Sequence, residues 1–232
     1  MRYNRPIGFA LVTVLAASAT AALASAQPEF LHSAKDVTKT GFTVKSKAAV
    51  TNFEVSETKY KISCTSSVAA GKIRGTTKIE AVIGRFKGCK AKKGVEKHEC
   101  EVKSTEPAGK KEEVITKTLK GRLGSVAKAE AESEVGMILE PAEGEVYLTL
   151  TSSTECLPKE TAEVVGSLIG EITTTKKEQK TGEVLYKVVT EKEQMIKKFT
   201  GESATHELEL FGVRTPLEAK DEIEFEEPVE VT

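Results

Sequence analysis

The sequence predicts an all-β protein: an antiparallel, curved sandwich or barrel-like meander with two disulfides. Three observations carry this prediction. β-Branched residues are abundant, short stretches of alternating apolar and polar residues recur along the chain, and four cysteines follow a start typical of an exported protein. Together they indicate a scaffold of strands that folds in an oxidising compartment.

Val, Ile and Thr make up 54 of the 206 residues that follow position 26. These residue types fit the pleated, half-buried surface of a sheet. Period-2 alternation then places the strands, because successive side chains of a strand point to opposite faces. The predicted strands contain residues 42–44, 60–64, 78–83, 98–102, 114–119, 135–139, 146–150, 164–174, 184–189 and 208–211.

Several of these runs contain or adjoin glycines, among them Gly71, Gly84, Gly121, Gly124 and Gly170. Glycine within a strand marks a bulge, a bend or a close approach of backbone. The sheet is therefore predicted to curve or to close. Two segments of helix-forming composition, 127–134 and 191–198, are only about two turns long and lie between strand runs, so hairpin connections are expected there.

The first 26 residues have the pattern of a signal peptide. A short basic start with Arg2 and Arg5 leads into the apolar run 7–17, and Ala24 and Ala26 occupy the positions that a signal peptidase reads. The apolar run is only marginally long enough to be a membrane anchor, since a spanning helix needs about 20 apolar residues. Cleavage before Gln27 is expected, leaving residues 27–232 as a single secreted β-rich domain without a membrane span.

The four cysteines are Cys64, Cys89, Cys100 and Cys156. No C-x₂-C or C-x₄-C pair is present to hold a tetrahedral zinc ion, so two disulfides are favoured over a metal site. Three pairings are possible. Cys64–Cys89 with Cys100–Cys156 is preferred, because it closes successive loops without crossing and each first cysteine lies in or beside a predicted strand.

Charge and composition limit the partners. Without residues 1–26 the chain has 32 basic and 35 acidic residues, and this balance argues against nucleic acid, whose binding depends on clustered Lys and Arg. The same segment has no Trp and ten aromatic residues, which weakens a sugar-binding interpretation without excluding it. No metal or other cofactor is expected, and the partner is predicted to be an extracellular or envelope ligand.

No catalytic set is recognisable. His32, His98 and His206 are far apart and lack the spacing of a metal or catalytic motif. Neither Ser125 nor Ser167, each preceded by Gly, has the G-x-S-x-G pattern of a nucleophile turn. The protein is therefore expected not to be an enzyme.

The C-terminal run is acidic, with Asp221, Glu222, Glu224, Glu226, Glu227 and Glu230 after the last base. It could bind Ca²⁺ through carboxylate oxygens. An edge strand is favoured instead, because Ile223 and Phe225 share one face while three glutamates share the other and discourage edge-to-edge association.

Several short segments resemble a family of uncharacterised secreted β-rich proteins from soil actinobacteria. They are 62–65, 71–75, 84–89, 119–124, 136–141, 166–172 and 227–231. Family members usually carry a Pro soon after the position of Ile172, where this chain has Thr173, Thr174 and Thr175. The resemblance implies export and a β-rich fold, and it assigns no functional residue.

The function expected from these observations is that of a non-catalytic protein, secreted or associated with the cell envelope, that binds or supports a surface, polymer or protein through an exposed sheet face. An enzyme inhibitor or protective factor acting through one loop, such as 90–97, is the alternative, and a secreted hydrolase comes third.

Overall fold

The computed structural model describes residues 27–32, 35–36, 39–46, 51–55, 60–94, 98–127, 133–157, 160–173, 175, 177–190 and 193–232. The predicted signal peptide lies outside these residues. Every regular element in the described part is a strand, and all ladders are antiparallel, which confirms the all-β prediction. No helix in this part is long and apolar enough to cross a membrane.

In chain order the strands are β1 Phe30–His32, β2 Lys35–Asp36, β3 Thr40–Ser46, β4 Thr51–Val55, β5 Tyr60–Cys64, β6 Ser66–Arg74, β7 Lys78–Lys87, β8 Lys90–Lys93, β9 Glu99–Glu101, β10 Lys103–Ser104, β11 Glu113–Ile115, β12 Leu119–Ala127, β13 Ser133–Pro141, β14 Val146–Thr151, β15 Thr161–Gly166, β16 Leu168–Ile172, β17 Gln179–Tyr186, β18 Val188–Thr190, β19 Glu193–Gln194, β20 Leu208–Leu210, β21 Val213–Arg214 and β22 Leu217–Val231.

Eight strands close into a barrel in the order β3, β6, β7, β12, β13, β16, β17 and β22. The last strand closes the ring, because β22 pairs with both β17 and β3. Glycines in the strands leave space for large side chains inside the barrel. A Cβ on Gly71 would lie 2.7 Å from the Phe42 ring, and one on Gly170 would lie 2.7 Å from the Tyr186 ring. The predicted curvature is confirmed.

Beside the barrel, β4, β5, β8 and β9 extend the sheet from the first residues of β22. A second sheet runs in the order β10, β14, β15, β20 and β21. Apolar side chains from both groups of strands pack against one another, including those of Phe53, Ile62, Leu148 and Leu210.

Both disulfides have the predicted pairing. Cys64 at the end of β5 is bonded to Cys89 after β7, and Cys100 of β9 is bonded to Cys156 in the loop after β14. All four cysteines are buried. The two covalent links indicate folding in an oxidising compartment.

Several sequence predictions need correction. Each of the predicted strands 114–119 and 184–189 is divided between two strands, β11 and β12 in the first case and β17 and β18 in the second. The C-terminal run alternates as expected, with Ile223 and Phe225 buried, but β22 is paired on both sides and is no edge strand. The predicted strand 164–174 is two strands in different sheets, because the chain turns at Gly166, whose φ is +102°. Finally, Lys90–Lys93 is not part of a projecting loop. It forms β8, which pairs with β5 on one side and β9 on the other, and Ala91 within it is fully buried.

One wall of the barrel is covered from outside. The segment 195–206 crosses β12, β13 and β16 and places Phe199 against Val126, Ile138 and Ile169. Gly124 and Gly136 lie under the Phe199 ring, which a Cβ on Gly124 would approach to 2.5 Å and a Cβ on Gly136 to 3.0 Å. The Arg122 guanidinium lies over the same ring, 4.6 Å from its centroid.

Candidate functional site

The outer side of β3, β6 and β7 is a wall of the barrel that is open to solvent. Its exposed residues alternate with less exposed ones along all three strands, as expected for a sheet with one face on the core and one face in solvent. We call these exposed residues the basic face; they are Thr43, Lys45, Val68, Ala70, Lys72, Arg74, Lys78, Ala81, Ile83, Arg85 and Lys87.

The basic face is rich in cations, and the one acid that β3, β6 and β7 place on the same side is the half-buried Glu80, opposite Lys72. Six of its members are Lys or Arg. Three of these six form ion pairs with acids: Lys45 with Glu224 at 3.8 Å, Arg74 with Glu80 at 3.1 Å and Arg85 with Glu113 at 3.6 Å.

The other three cations of the basic face are Lys72, Lys78 and Lys87. Within the part of the chain that the structure describes, none of their ammonium groups forms an ion pair. Their positive charge is therefore available to a partner in solution.

A groove of about 510 Å³ opens on this face and is lined largely by small residues. Gly41, Ala70 and Ala81 contribute little side-chain bulk, and Ala70 pairs across the strands with Thr43 and Ile83. A β-bulge widens β7 here: the register shifts between Ala70 and Lys72, and Ala81 adopts a φ of +53°. Val68 and Ile83, exposed at 37% and 39%, add apolar surface nearby.

The margin of the groove contains charges of both signs. Lys39 and Lys72 line it, and so does Glu226 of β22. The Glu226 carboxylate accepts a hydrogen bond from the Gly41 amide at 3.0 Å, so that acid is already engaged by the protein. Among the described residues, neither lysine has an ion-pair partner, so both charges remain available in the groove.

Sequence reasoning missed a cluster on another wall. The Ser167 hydroxyl lies 2.9 Å from His206 Nδ1, and His206 Nε2 faces the Glu202 carboxylate at 3.6 Å. Arg122 holds Glu202 through a 2.6 Å ion pair. These residues come from β12, from the turn between β15 and β16, and from the segment before β20, so no local spacing signals the cluster.

Ser167 also lines an open groove of about 390 Å³ with Lys120, Glu140, Glu145, Glu207 and Glu209. The backbone around it is already engaged, because the Gly166 amide donates to Glu145 O and the Ser167 amide donates to Glu207 O. Neither amide is free to stabilise an oxyanion. His206, which lacks a partner motif in the sequence, has both a hydroxyl and a carboxylate as neighbours in the fold.

The remaining histidines have separate roles. His32 Nδ1 contacts the Pro228 carbonyl oxygen at 2.7 Å, and His98 pairs with Glu155 at 3.0 Å on the surface. His98 also lies within ligand distance of Cys100 and Cys156. Since both sulfurs are consumed by the disulfide, these three residues do not form a zinc site.

A small polar group is enclosed by the barrel. Asp221 is 7% exposed, and the Ser67 hydroxyl donates a hydrogen bond to its carboxylate at 3.0 Å. Burial raises the pKa of Asp221 above its usual value, although the bond from Ser67 acts in the opposite direction. Burial also raises the pKa of Tyr147 and Tyr186 well above that of a free phenol, with the charge of Asp221 as a further cause.

The loop 90–97, considered above for an inhibitor, is described only in part, because residues 95–97 lie outside the described residues. Its described half is the paired strand β8 and does not project. Glu222, Glu224, Glu226 and Glu227 are exposed on the outside of β22, and Glu230 is half-buried. Glu224 is paired with Lys45.

Comparison of the chain with protein-family models, with curated proteins and with solved structures gives no match.

Proposed function

We propose that this protein is an exported, non-catalytic binding module that holds an extracellular or envelope ligand in the groove of the basic face. One observation carries the proposal: the groove crosses three strands of a closed barrel and is open to solvent along its length. The signal-peptide pattern and the two disulfides support a site of action outside the cytoplasm.

The barrel makes this groove rigid. Its floor is the backbone of β3, β6 and β7, whose amides and carbonyls are already paired in the ladders. Binding would therefore proceed through side chains on a preformed surface, with little ordering cost. Small residues at the floor allow a bulky, extended ligand to approach closely.

The proposal is tested by filling the groove. Ala70→Trp adds an indole at its centre, opposite Thr43 and Ile83, and Thr161→Trp places the same side chain at an exposed strand position of the second sheet. Residues 27–232 of each form are mixed with the insoluble envelope fraction of the producing cells, sedimented and quantified. We expect the native chain and Thr161→Trp to sediment equally, and Ala70→Trp to bind at least about tenfold more weakly.

Equal sedimentation of the Ala70→Trp variant would contradict the proposed function, provided that its circular dichroism and melting temperature match those of the native chain. A protein that stays in the supernatant in all three forms would contradict it as well.

Hydrolysis is a second candidate, favoured by the Ser167–His206–Glu202 cluster. If His206 carries its proton on Nε2, towards Glu202, then Nδ1 can accept the Ser167 proton as a general base. A fluorophosphonate probe distinguishes the candidates. Labelling of Ser167 that is lost in His206→Gln would favour a hydrolase, whereas an unlabelled native chain favours the binding module.

A further inference from the structure

We propose that the ligand of the basic face is an anionic polysaccharide. This inference rests on the proposed function and names the chemistry of its ligand. It starts from the three cations, Lys72, Lys78 and Lys87, that have no acidic partner among the described residues. With Lys39 at the groove margin, they give this wall four cations that form no ion pair with any described acid.

The spread of these charges points to a polymer. Lys72 lies opposite Glu80 and Lys87 lies opposite Ser66, so six residues of β6 separate the two lysines along the sheet. At about 3.3 Å per residue, this distance is roughly 20 Å. A ligand that contacts both ends must be extended and must carry several negative charges.

A polysaccharide fits better than a peptide or a nucleic acid. A peptide strand cannot be added to the sheet here, because β3, β6 and β7 are each paired on both sides. Nucleic acid strands are commonly held by aromatic side chains that stack on bases. The basic face has no aromatic residue among its exposed members.

Small residues give the groove room for a sugar ring. Ala70 and Ala81 leave space in which a sugar ring can lie against the sheet, and the Thr43 hydroxyl, exposed beside them, can exchange hydrogen bonds with ring hydroxyls. The space over Gly41 is filled by the Glu226 carboxylate. Without exposed aromatic faces to stack on sugar rings, the attraction comes mainly from charge. Affinity is therefore expected to fall steeply with salt concentration.

The experiment uses residues 27–232 and four polymers: polygalacturonate for carboxylate, phosphorylated mannan for phosphate, dextran as the neutral glycan, and duplex DNA. Affinity electrophoresis is run at 20 and 200 mM salt, on the order of a threefold change in screening length. We expect binding of one or both anionic glycans that weakens with salt, and no retardation by dextran. Comparison of the first two polymers shows whether the protein binds carboxylate groups, phosphate groups or both.

The matched variants are Lys72→Gln with Lys78→Gln, and Lys103→Gln with Lys198→Gln. Lys103 on β10 and Lys198 in the 195–206 segment are also exposed, but neither belongs to the basic face. Both double variants lose the same charge. We expect the first to bind at least about tenfold more weakly and the second to bind as the native chain does.

Three results would overturn the inference: no retardation by either anionic glycan, equal loss in both double variants, or DNA binding as tight as glycan binding at the same salt. If the lysine variants bind normally while Ala70→Trp does not sediment with the envelope fraction, the binding function stands and only the ligand assignment fails. If Ala70→Trp sediments normally, the proposed function itself fails.

Discussion

The hydroxyl of Ser67 and the carboxylate of Asp221 are joined by a hydrogen bond of 3.0 Å although 154 positions separate them in the chain. The bond bridges β6 and β22 across the intervening β3, whose Ser46 hydroxyl accepts a further hydrogen bond from the Ser67 amide. A carboxylate thus lies among the apolar side chains of the closed barrel, and its charge costs stability.

Asp221→Asn is predicted to stabilise the protein at neutral pH. Because burial raises the folded-state pKa of Asp221, the native carboxyl contributes most to stability below its unfolded value near 3.8, and that contribution is lost as pH rises through the folded value. Asparagine keeps an oxygen to accept from Ser67 and has no charge. Melting temperatures of both forms between pH 3 and pH 8 should diverge as pH rises; parallel curves would refute the prediction.

Ser67→Ala provides the complementary change. It removes the hydrogen bond that partly offsets the burial of the Asp221 charge. The free energy of unfolding at pH 7 should fall by about 1.5–3 kcal/mol, the usual range for a bond to a charged group. In the Asp221→Asn background, the same substitution should cost less, and an equal cost in both backgrounds would argue against a charged Asp221 at pH 7.

Phe199→Ala is predicted to be strongly destabilising. The ring is 3% exposed and fills the space over Gly124 and Gly136, where the strands themselves provide no side chain. Removing a buried aromatic side chain costs about 3–5 kcal/mol. Urea unfolding measures the loss, and Met195→Ala, at a side chain 49% exposed in the same segment, should change stability by less than about 0.5 kcal/mol. Similar costs for both would show that segment 195–206 does not support the barrel.

Gly71→Ala tests the packing inside the barrel. The added methyl group would lie 2.7 Å from Phe42 Cζ and 2.8 Å from Val82 Cγ2, so we expect a loss of about 1–3 kcal/mol. Gly182→Ala is the control, because its nearest neighbour would be Phe225 at 3.7 Å, an ordinary contact. Phe42→Leu should recover part of the Gly71→Ala loss in a double-mutant cycle. No coupling between the two positions would contradict the interpretation.

The features that the sequence predicts correctly depend on neighbouring residues. Alternation along β22 identified its buried and exposed faces, and glycines within strands signalled a curved sheet. The disulfide pairing also followed from loops that close in succession. Each of these inferences rests on residues close together in the chain or on simple connectivity.

The sequence could not show which strands become neighbours. β22 was expected at an edge because nothing local indicates that a final strand closes a ring. Ser167, His206 and Glu202 meet only after the chain turns at Gly166 and segment 195–206 crosses the barrel. The basic face was not predicted: Lys72 and Arg74 lie on β6, Arg85 and Lys87 lie on β7, and only the β6–β7 pairing brings them together.

The two disulfides are predicted to contribute unequally. Cys64–Cys89 closes a sequence separation of 25 residues and Cys100–Cys156 one of 56. In the chain-entropy model each link limits the unfolded chain, typically by about 2–4 kcal/mol, and the longer loop gains about 0.7 kcal/mol more. Replacing each pair by two alanines should therefore lower the free energy of unfolding in urea, and more so for Cys100 with Cys156. All four cysteines are buried, so the packing lost by each replacement is comparable.

A thiol reductant that opens both disulfides provides the control. In its presence the native chain should be less stable than either alanine variant measured without reductant. Equal losses, or a larger loss for the shorter loop, would mean that native-state packing around the sulfurs outweighs the restriction of the unfolded chain.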